Sequence, residues 1–218
     1  MKLPAINLLH LSDLHFGYDG DMTARAQREL ALNALVRELQ SLEAARQPQV
    51  LVISGDLTWQ GRPGGYSELG VWLREKLFPA TGLAAGDCVM CPGNHDVSHK
   101  KTIGPVRRTG DAEEADEVLR PENLADGFAR PFEAFVKFTG ELGIPAPVLH
   151  GAPNRLAGVC ELHGIQFICA NSAWFCRDSK TDRGQLWLGL PQLESMRINP
   201  NDYDTAPITV AVLHHPRE

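Results

Sequence analysis

Short apolar runs alternate with longer segments of helical periodicity along the chain, and this alternation indicates the fold. The runs at residues 6–11, 50–53 and 88–91 predict buried strands. Between them, residues 23–46 and 66–77 place leucines at helical spacing, so that each segment has one apolar stripe. Repeated alternation of strand and helix is typical of a parallel sheet covered by helices.

The second half of the chain is less regular. Residues 98–130 turn polar and charged, which predicts an irregular excursion with one short helix. His163-Gly164 separates two apolar runs and suits the type I′ turn of a β-hairpin. The elements predicted here are a helix over 131–142, hairpin strands over 155–162 and 165–170, a helix over 190–197 and a strand over 208–213.

Composition is that of an ordinary globular protein. The 218 residues are 43% hydrophobic and 22% charged, and no linker or repeat divides them, so we expect a single domain over 1–218. The formal net charge of -6 disfavours an extended basic face for nucleic acid.

There is no secretory signal or membrane-spanning apolar run, and the five cysteines are irregularly spaced, which predicts a cytoplasmic protein with free thiols. Cys88 and Cys91 should point to opposite faces of a strand rather than share a zinc ion.

Polar side chains that bind metal ions follow four of the predicted strands. Because ligands of parallel sheets bind beyond the carboxyl ends of the strands, we expect these side chains to meet in one site. Residues i and i+2 of an extended segment point the same way, so Asp13 and His15 could chelate one ion together. Four converging segments can hold two divalent ions roughly 3.5–4 Å apart, as in phosphoryl transfer. The candidate residues are Asp13, His15, Asp56, Asn94, His95, Asp96, His214 and His215.

These motifs resemble those of the calcineurin-like metallophosphoesterase superfamily in their order, strand context and approximate spacing. The resemblance covers the whole chain and implies an α/β metallophosphoesterase fold: two facing mixed β-sheets flanked by helices, an α/β/β/α sandwich. Residues 171–172 and 184–193 are similar to the connecting region of class III cyclic-nucleotide phosphodiesterase-like members. The matching motifs are Asp13-Leu14-His15, Gly55-Asp56, Gly93-Asn94-His95-Asp96 and the later His214.

The resemblance implies two divalent metal ions and assigns their ligands. Asp13 and His15 bind the first ion, Asp56 bridges both ions, and Asn94 and His214 bind the second. We prefer His214 over its neighbour because it is the first histidine to leave the apolar strand. Nitrogen and oxygen ligands admit Mn²⁺, Fe and Zn²⁺ alike, and Mn²⁺ is the expected ion.

The implied reaction is hydrolysis of a phosphate ester by hydroxide bound between the ions. His95 protonates the leaving oxygen or stabilises charge on the phosphoryl group, and Asp96 orients and charges His95. The connecting region favours phosphodiesters such as nucleotides or cyclic nucleotides. Two alternatives stay open: an SbcD-like DNA nuclease, and a regulatory module of a larger protein that binds metal or nucleotide without turnover.

Three residues are weaker candidates for substrate binding. Trp59 could stack on a base or an aryl leaving group, and Lys100 and Arg107 belong to the basic cluster nearest the site. The superfamily also closes its site with Gly-His-x-His, a motif that does not occur in this sequence. We therefore expect a C-terminally incomplete part of a longer protein, in which each ion lacks one imidazole.

Overall fold

Two β-sheets and six helices make up the described part of the chain. The computed structural model describes residues 5–18, 20–98, 111–120, 129–177, 182, 186–196 and 208–215. The strands are β1 (Leu8–Leu11), β2 (Val50–Ser54), β3 (Cys88–Cys91), β4 (Val148–Leu149), β5 (Ala152–Pro153), β6 (Gly158–Leu162), β7 (Ile165–Cys169) and β8 (Ile208–Val212). The helices are α1 (Met22–Ser41), α2 (Pro63–Trp72), α3 (Phe78–Thr81), α4 (Ala112–Val118), α5 (Glu133–Leu142) and α6 (Leu190–Ser195).

The first sheet has the strand order β1-β2-β3 and is parallel throughout, as the strand–helix alternation predicts. Its central strand β2 is buried along its whole length. Leu51 and Ile53 face the helices, whereas Val50 and Val52 face the other sheet. Parallel strands place their carboxyl ends at the same edge, so the three loops that follow them start side by side.

The second sheet has the order β5-β4-β6-β7-β8 and is mixed, with β7 and β8 parallel and the other pairs antiparallel. Phe167 and Val212 of this sheet pack against Val50 and Val52 of the first. The two facing sheets implied by the resemblance are therefore present, although only the second one is mixed.

The helices lie close to their predicted positions, but several begin or end at other residues than predicted. The Asp21 side chain caps α1, which stops at Ser41, and the predicted remainder to residue 46 contains a separate 3₁₀ turn. The helix predicted over 66–77 begins earlier, at Pro63, and continues through a π-helical turn into α3. The short helix expected within 98–130 is α4.

The predicted hairpin is formed by β6 and β7, and its turn residues His163 and Gly164 both have positive φ, as a type I′ turn requires. Its first strand begins at Gly158 instead of residue 155. The Asn154 side chain accepts hydrogen bonds from the N–H groups of Leu156 and Ala157, and these local bonds compete with strand pairing.

The two cysteines of the C-x-x-C pattern lie on opposite faces of β3, as expected. Cys88 belongs to the core beneath the helices and Cys91 to the core between the sheets. Burial raises the pKa of the Cys88 thiol to about 12 and that of Cys91 further still. Both thiols are therefore protonated core side chains at neutral pH.

Candidate metal centre

The predicted ligands converge at one edge of the sandwich. Asp13 follows β1, Asp56 follows β2 and Asn94 follows β3, so the first sheet delivers them from adjacent parallel strands. His214 follows β8 of the second sheet. Four segments that are distant in sequence thus end within one polar pocket.

Asp56 lies at the centre of this pocket, and its side chain is 4% exposed. One carboxylate oxygen, Oδ1, is 3.3 Å from His214 Nε2 and accepts a hydrogen bond of 2.8 Å from the backbone N–H of His95. The other oxygen, Oδ2, is 3.7 Å from His15 Nε2. Burial acts to raise the pKa of Asp56, but the hydrogen bonds and positive charge from His214 and His95 outweigh it and lower the pKa. The carboxylate is ionised at neutral pH.

Two groups of donor atoms share this carboxylate. His15, Asp56 and His95 form one group, and Asp13, Asp56 and His214 form the other, with donor atoms within 4.8 Å of one another in each. Imidazole nitrogens and carboxylate oxygens suit Mn²⁺, Fe and Zn²⁺. The donor set therefore fits divalent cations, and the shared carboxylate is placed as a bridging ligand would be.

His214 is oriented by the backbone. Its Nδ1 is 2.8 Å from the carbonyl oxygen of Ser54, and because a carbonyl only accepts, Nδ1 carries a proton and donates it. Nε2 is then the atom that faces Asp56. Burial acts to lower the pKa of His214, but the Asp56 carboxylate and the Ser54 carbonyl raise it to about 9. A carbonyl that fixes the ring in this way is typical of histidines that bind metal ions.

The segment around Asp13 and His15 is not extended, which corrects the reason we gave for their pairing. Both residues have left-handed backbone conformations, with φ of 57° and 45°, and so does Asp56, with φ of 52°. Nevertheless, Asp13 Oδ1 lies 3.8 Å from His15 Nε2. Non-glycine residues seldom adopt left-handed backbone conformations, so the three predicted ligands that do so here indicate backbone strain. Each conformation costs roughly 1–3 kcal/mol.

Two glycines make room for the predicted ligands His214 and Asp56. Gly55 has a φ of +85°, and a Cβ built on it would lie 2.6 Å from His214 Cβ. A Cβ on Gly93 would overlap Asp56 Oδ1. The glycines of the Gly-Asp and Gly-Asn-His-Asp motifs are thus required because other candidate ligands occupy the space of their side chains.

His95 is stacked on Trp59. The ring centroids are 4.2 Å apart and the planes differ by 20°, while the edge of His15 meets the His95 ring at 4.8 Å. Tyr18 packs against the edge of Trp59 at 4.8 Å. One face of the Trp59 indole is therefore occupied by His95 and is not available to a base, although the sequence left stacking on a base open.

The hydrogen bonds that Asp96 accepts in the described part of the chain come from groups other than the His95 ring, and its predicted role in orienting His95 stays a prediction. Its fully buried carboxylate accepts hydrogen bonds from the backbone N–H groups of Leu57, Thr58 and Gly93, and from the Tyr66 hydroxyl at 2.8 Å. Burial raises the pKa of Asp96 to about 6, so it is still ionised at neutral pH. Asp96 connects the loops after β2 and β3. These hydrogen-bond donors stabilise its negative charge.

His215 has a role that sequence reasoning missed. The sequence offers it only as a rival metal ligand, yet its Nε2 lies 3.1 Å from Asn94 Oδ1 and its Nδ1 lies 2.7 Å from Ser172 Oγ. Burial, and next the charge of His214, lower the pKa of His215 to about 4, so the ring is neutral at neutral pH. The similarity of residues 171–172 to a phosphodiesterase connecting region was the available signal. Lys100 and Arg107 lie outside the described residues.

Comparison with known protein families matches residues 6–218 to the calcineurin-like phosphoesterases. The chain belongs to this family. Calcineurin-like phosphoesterases are metal-dependent hydrolases of phosphate esters, which agrees with the donor set described above. No individual curated protein gives a significant match to the chain. Among the residues described, no helix combines the length and apolar character needed to cross a membrane.

Proposed function

We propose that this calcineurin-like phosphoesterase hydrolyses phosphodiesters, with nucleotides or cyclic nucleotides as the substrate class, at a pair of divalent ions. The observation that supports it most is the position of Asp56 between two groups of donor atoms, since a shared carboxylate suits two adjacent cations. The preference for phosphodiesters rests on the resemblance of the connecting region. Mn²⁺ is the ion that we propose, on the basis of ligand chemistry alone.

In the proposal, Asp13 and His15 would hold one ion and Asn94 and His214 the other, with Asp56 shared between them. The two donor groups described above instead pair Asp13 with His214 and His15 with His95, so the division of ligands between the ions rests on the resemblance. When bound, such ions lower the pKa of water and polarise the phosphoryl oxygens. Their positive charge also balances the carboxylates gathered in this pocket.

His95 acts on the leaving group. The oxygen of water forms the new bond to phosphorus and its proton passes to solvent, while the bond from phosphorus to the ester oxygen breaks. His95 gives a proton to that leaving oxygen and regains one from solvent. The donor group that contains His95 would equally allow it to bind an ion, and the resemblance is what assigns it to the substrate. Its stacking on Trp59 limits rotation of the imidazole. The five cysteines are free thiols, in keeping with the cytoplasmic location that we also propose.

Turnover of bis-p-nitrophenyl phosphate with Mn²⁺ tests this function, with p-nitrophenyl phosphate, a cyclic nucleotide and single-stranded DNA assayed beside it. We expect hydrolysis of the diester and of the cyclic nucleotide, lost with EDTA and in His95→Asn. Preference for the monoester would overturn the phosphodiester assignment, and DNA cleavage alone would favour the nuclease. Mn²⁺ binding without any turnover would support the regulatory module instead.

A further inference from the structure

A chain of hydrogen bonds joins the two sheets beside the candidate ligands. It runs from Ser172, which follows β7, to His215, which follows β8, and on to Asn94, which follows β3. Ser172 is 3% exposed and His215 is half-buried. Both ring nitrogens of His215 are thus occupied by protein partners, whereas His214 directs its Nε2 at Asp56. Adjacent histidines in one sequence motif therefore have different surroundings.

The direction of each hydrogen bond follows from the available protons. The backbone N–H of His215 donates to Ser172 Oγ at 3.4 Å. The hydroxyl proton of Ser172 has no acceptor among the described residues other than His215 Nδ1, so Ser172 donates and Nδ1 accepts. In the neutral ring the proton is then on Nε2, which donates to Asn94 Oδ1.

We propose that His215 is a positioning residue for Asn94, held in its Nε2-protonated tautomer by Ser172. An amide oxygen has two lone pairs, so the bond from His215 occupies one and leaves the other for a cation. The inference rests on the proposed function in one respect, namely that Asn94 is a metal ligand. It explains why the chain has two consecutive histidines here: one is a ligand and the other orients a ligand delivered by the opposite sheet.

The tautomer can be tested without metal or substrate. A long-range ¹H–¹⁵N correlation spectrum of the metal-free protein, with His215→Gln to assign the signals, should show the Nε2-protonated pattern for His215. In Ser172→Ala the ring should change to a mixture of tautomers. A wild-type ring protonated on Nδ1, or a pattern that Ser172→Ala leaves unchanged, would overturn the proposal.

The effect on Asn94 is measured by calorimetric titration with Mn²⁺. We expect His215→Ala to weaken one class of site by about tenfold to a hundredfold, as loss of an orienting partner does, with the number of ions unchanged at saturation. His215→Gln keeps an N–H donor and should recover most of the affinity. His150→Ala, which removes an exposed histidine on a turn, is the matched control.

Three outcomes of this titration contradict the inference. Wild-type affinity in His215→Ala would show that Asn94 needs no orienting partner. Loss of an ion at every Mn²⁺ concentration, as expected of His214→Ala, would make His215 a ligand itself. Equal loss in the Gln and Ala variants would remove the hydrogen bond as the cause. The proposed function fails separately, if the wild-type chain binds Mn²⁺ with these tautomers but hydrolyses no phosphodiester.

Discussion

The two sheets contribute to the metal centre in different ways. The first sheet supplies its side chains from three consecutive parallel strands, and its central strand β2 is wholly buried. The second supplies His214 and His215 from β8, a strand at the edge of its sheet with exposed Ile208, Thr209 and Ala211. The first half of the site is therefore centred on a wholly buried strand, whereas the second comes from an edge strand that packs on the first sheet through Val212 and makes a few polar contacts across the sandwich.

Those polar contacts are specific. His214 touches Ser54 and Asp56 of the first sheet, and His215 touches Asn94. The site forms only when the two sheets are packed together, because neither sheet by itself supplies all the predicted ligands.

The largest effect is expected from Asp56→Asn, which removes the charge shared by both donor groups. Losing several kcal/mol of cation stabilisation should lower kcat on bis-p-nitrophenyl phosphate by about 10³-fold. Steady-state kinetics with Mn²⁺ measures it. Glu38→Gln, on an exposed position of α1, removes one negative charge elsewhere and should leave kcat unchanged. Activity within tenfold of wild type in Asp56→Asn would exclude the bridging role.

Asp96→Asn should destabilise the first half of the site. An amide NH₂ would face donors where the carboxylate now accepts hydrogen bonds from three backbone N–H groups and the Tyr66 hydroxyl, and the cost is about 3 kcal/mol in the free energy of unfolding. Urea unfolding of the metal-free protein measures it. Tyr66→Phe, which removes one of these donors, should cost only about 1 kcal/mol. Equal stability of Asp96→Asn and wild type would contradict the assigned role.

The junction between the sheets should respond to pH through His214. Its pKa of about 9 in the folded protein lies above the ordinary value of 6.5, so the folded state favours the protonated ring. This stabilisation is complete below about pH 6.5 and is lost as pH rises through 9. The free energy of unfolding of the metal-free protein should fall more steeply between pH 7 and 10 in wild type than in His214→Gln. If the two proteins lost stability equally over this pH range, His214 would not be the source of the pH dependence.

The smallest effect is expected at the periphery, from Trp59. A stacked aromatic pair is worth about 0.5–1.5 kcal/mol, so Trp59→Ala should lower kcat by up to about tenfold if the stack holds His95 in place. Trp59→Phe should retain most of the rate. The loss should be larger for an alkyl leaving group than for p-nitrophenolate, because only the former needs a proton. A loss independent of the leaving group would separate Trp59 from the role proposed for His95.

Much of the first half of the site could be predicted from sequence. Each strand of the first sheet is followed by its polar cluster, and parallel strands necessarily bring such clusters to one edge. The prediction that all three strands are buried was wrong for β1, whose residues are exposed or half-buried. The backbone conformations of Asp13, His15 and Asp56 could not be predicted, because left-handed φ values at non-glycine residues are imposed by the packing of neighbouring loops. Asp13 and His15 do approach each other, but not through the extended backbone that the sequence analysis assumed, and their sharing of one ion stays a prediction.

Local sequence thus determined which residues are polar at the strand ends, the parallel order of the first three strands and the family to which the chain belongs. Tertiary structure alone decided the use of each polar group: that Asp96 joins two loops, that Trp59 faces His95, and that His214 and His215 have different partners. The physical reason is that periodicity reports local burial, whereas a hydrogen bond between residues such as Asn94 and His215, 121 positions apart, depends on how the two sheets pack.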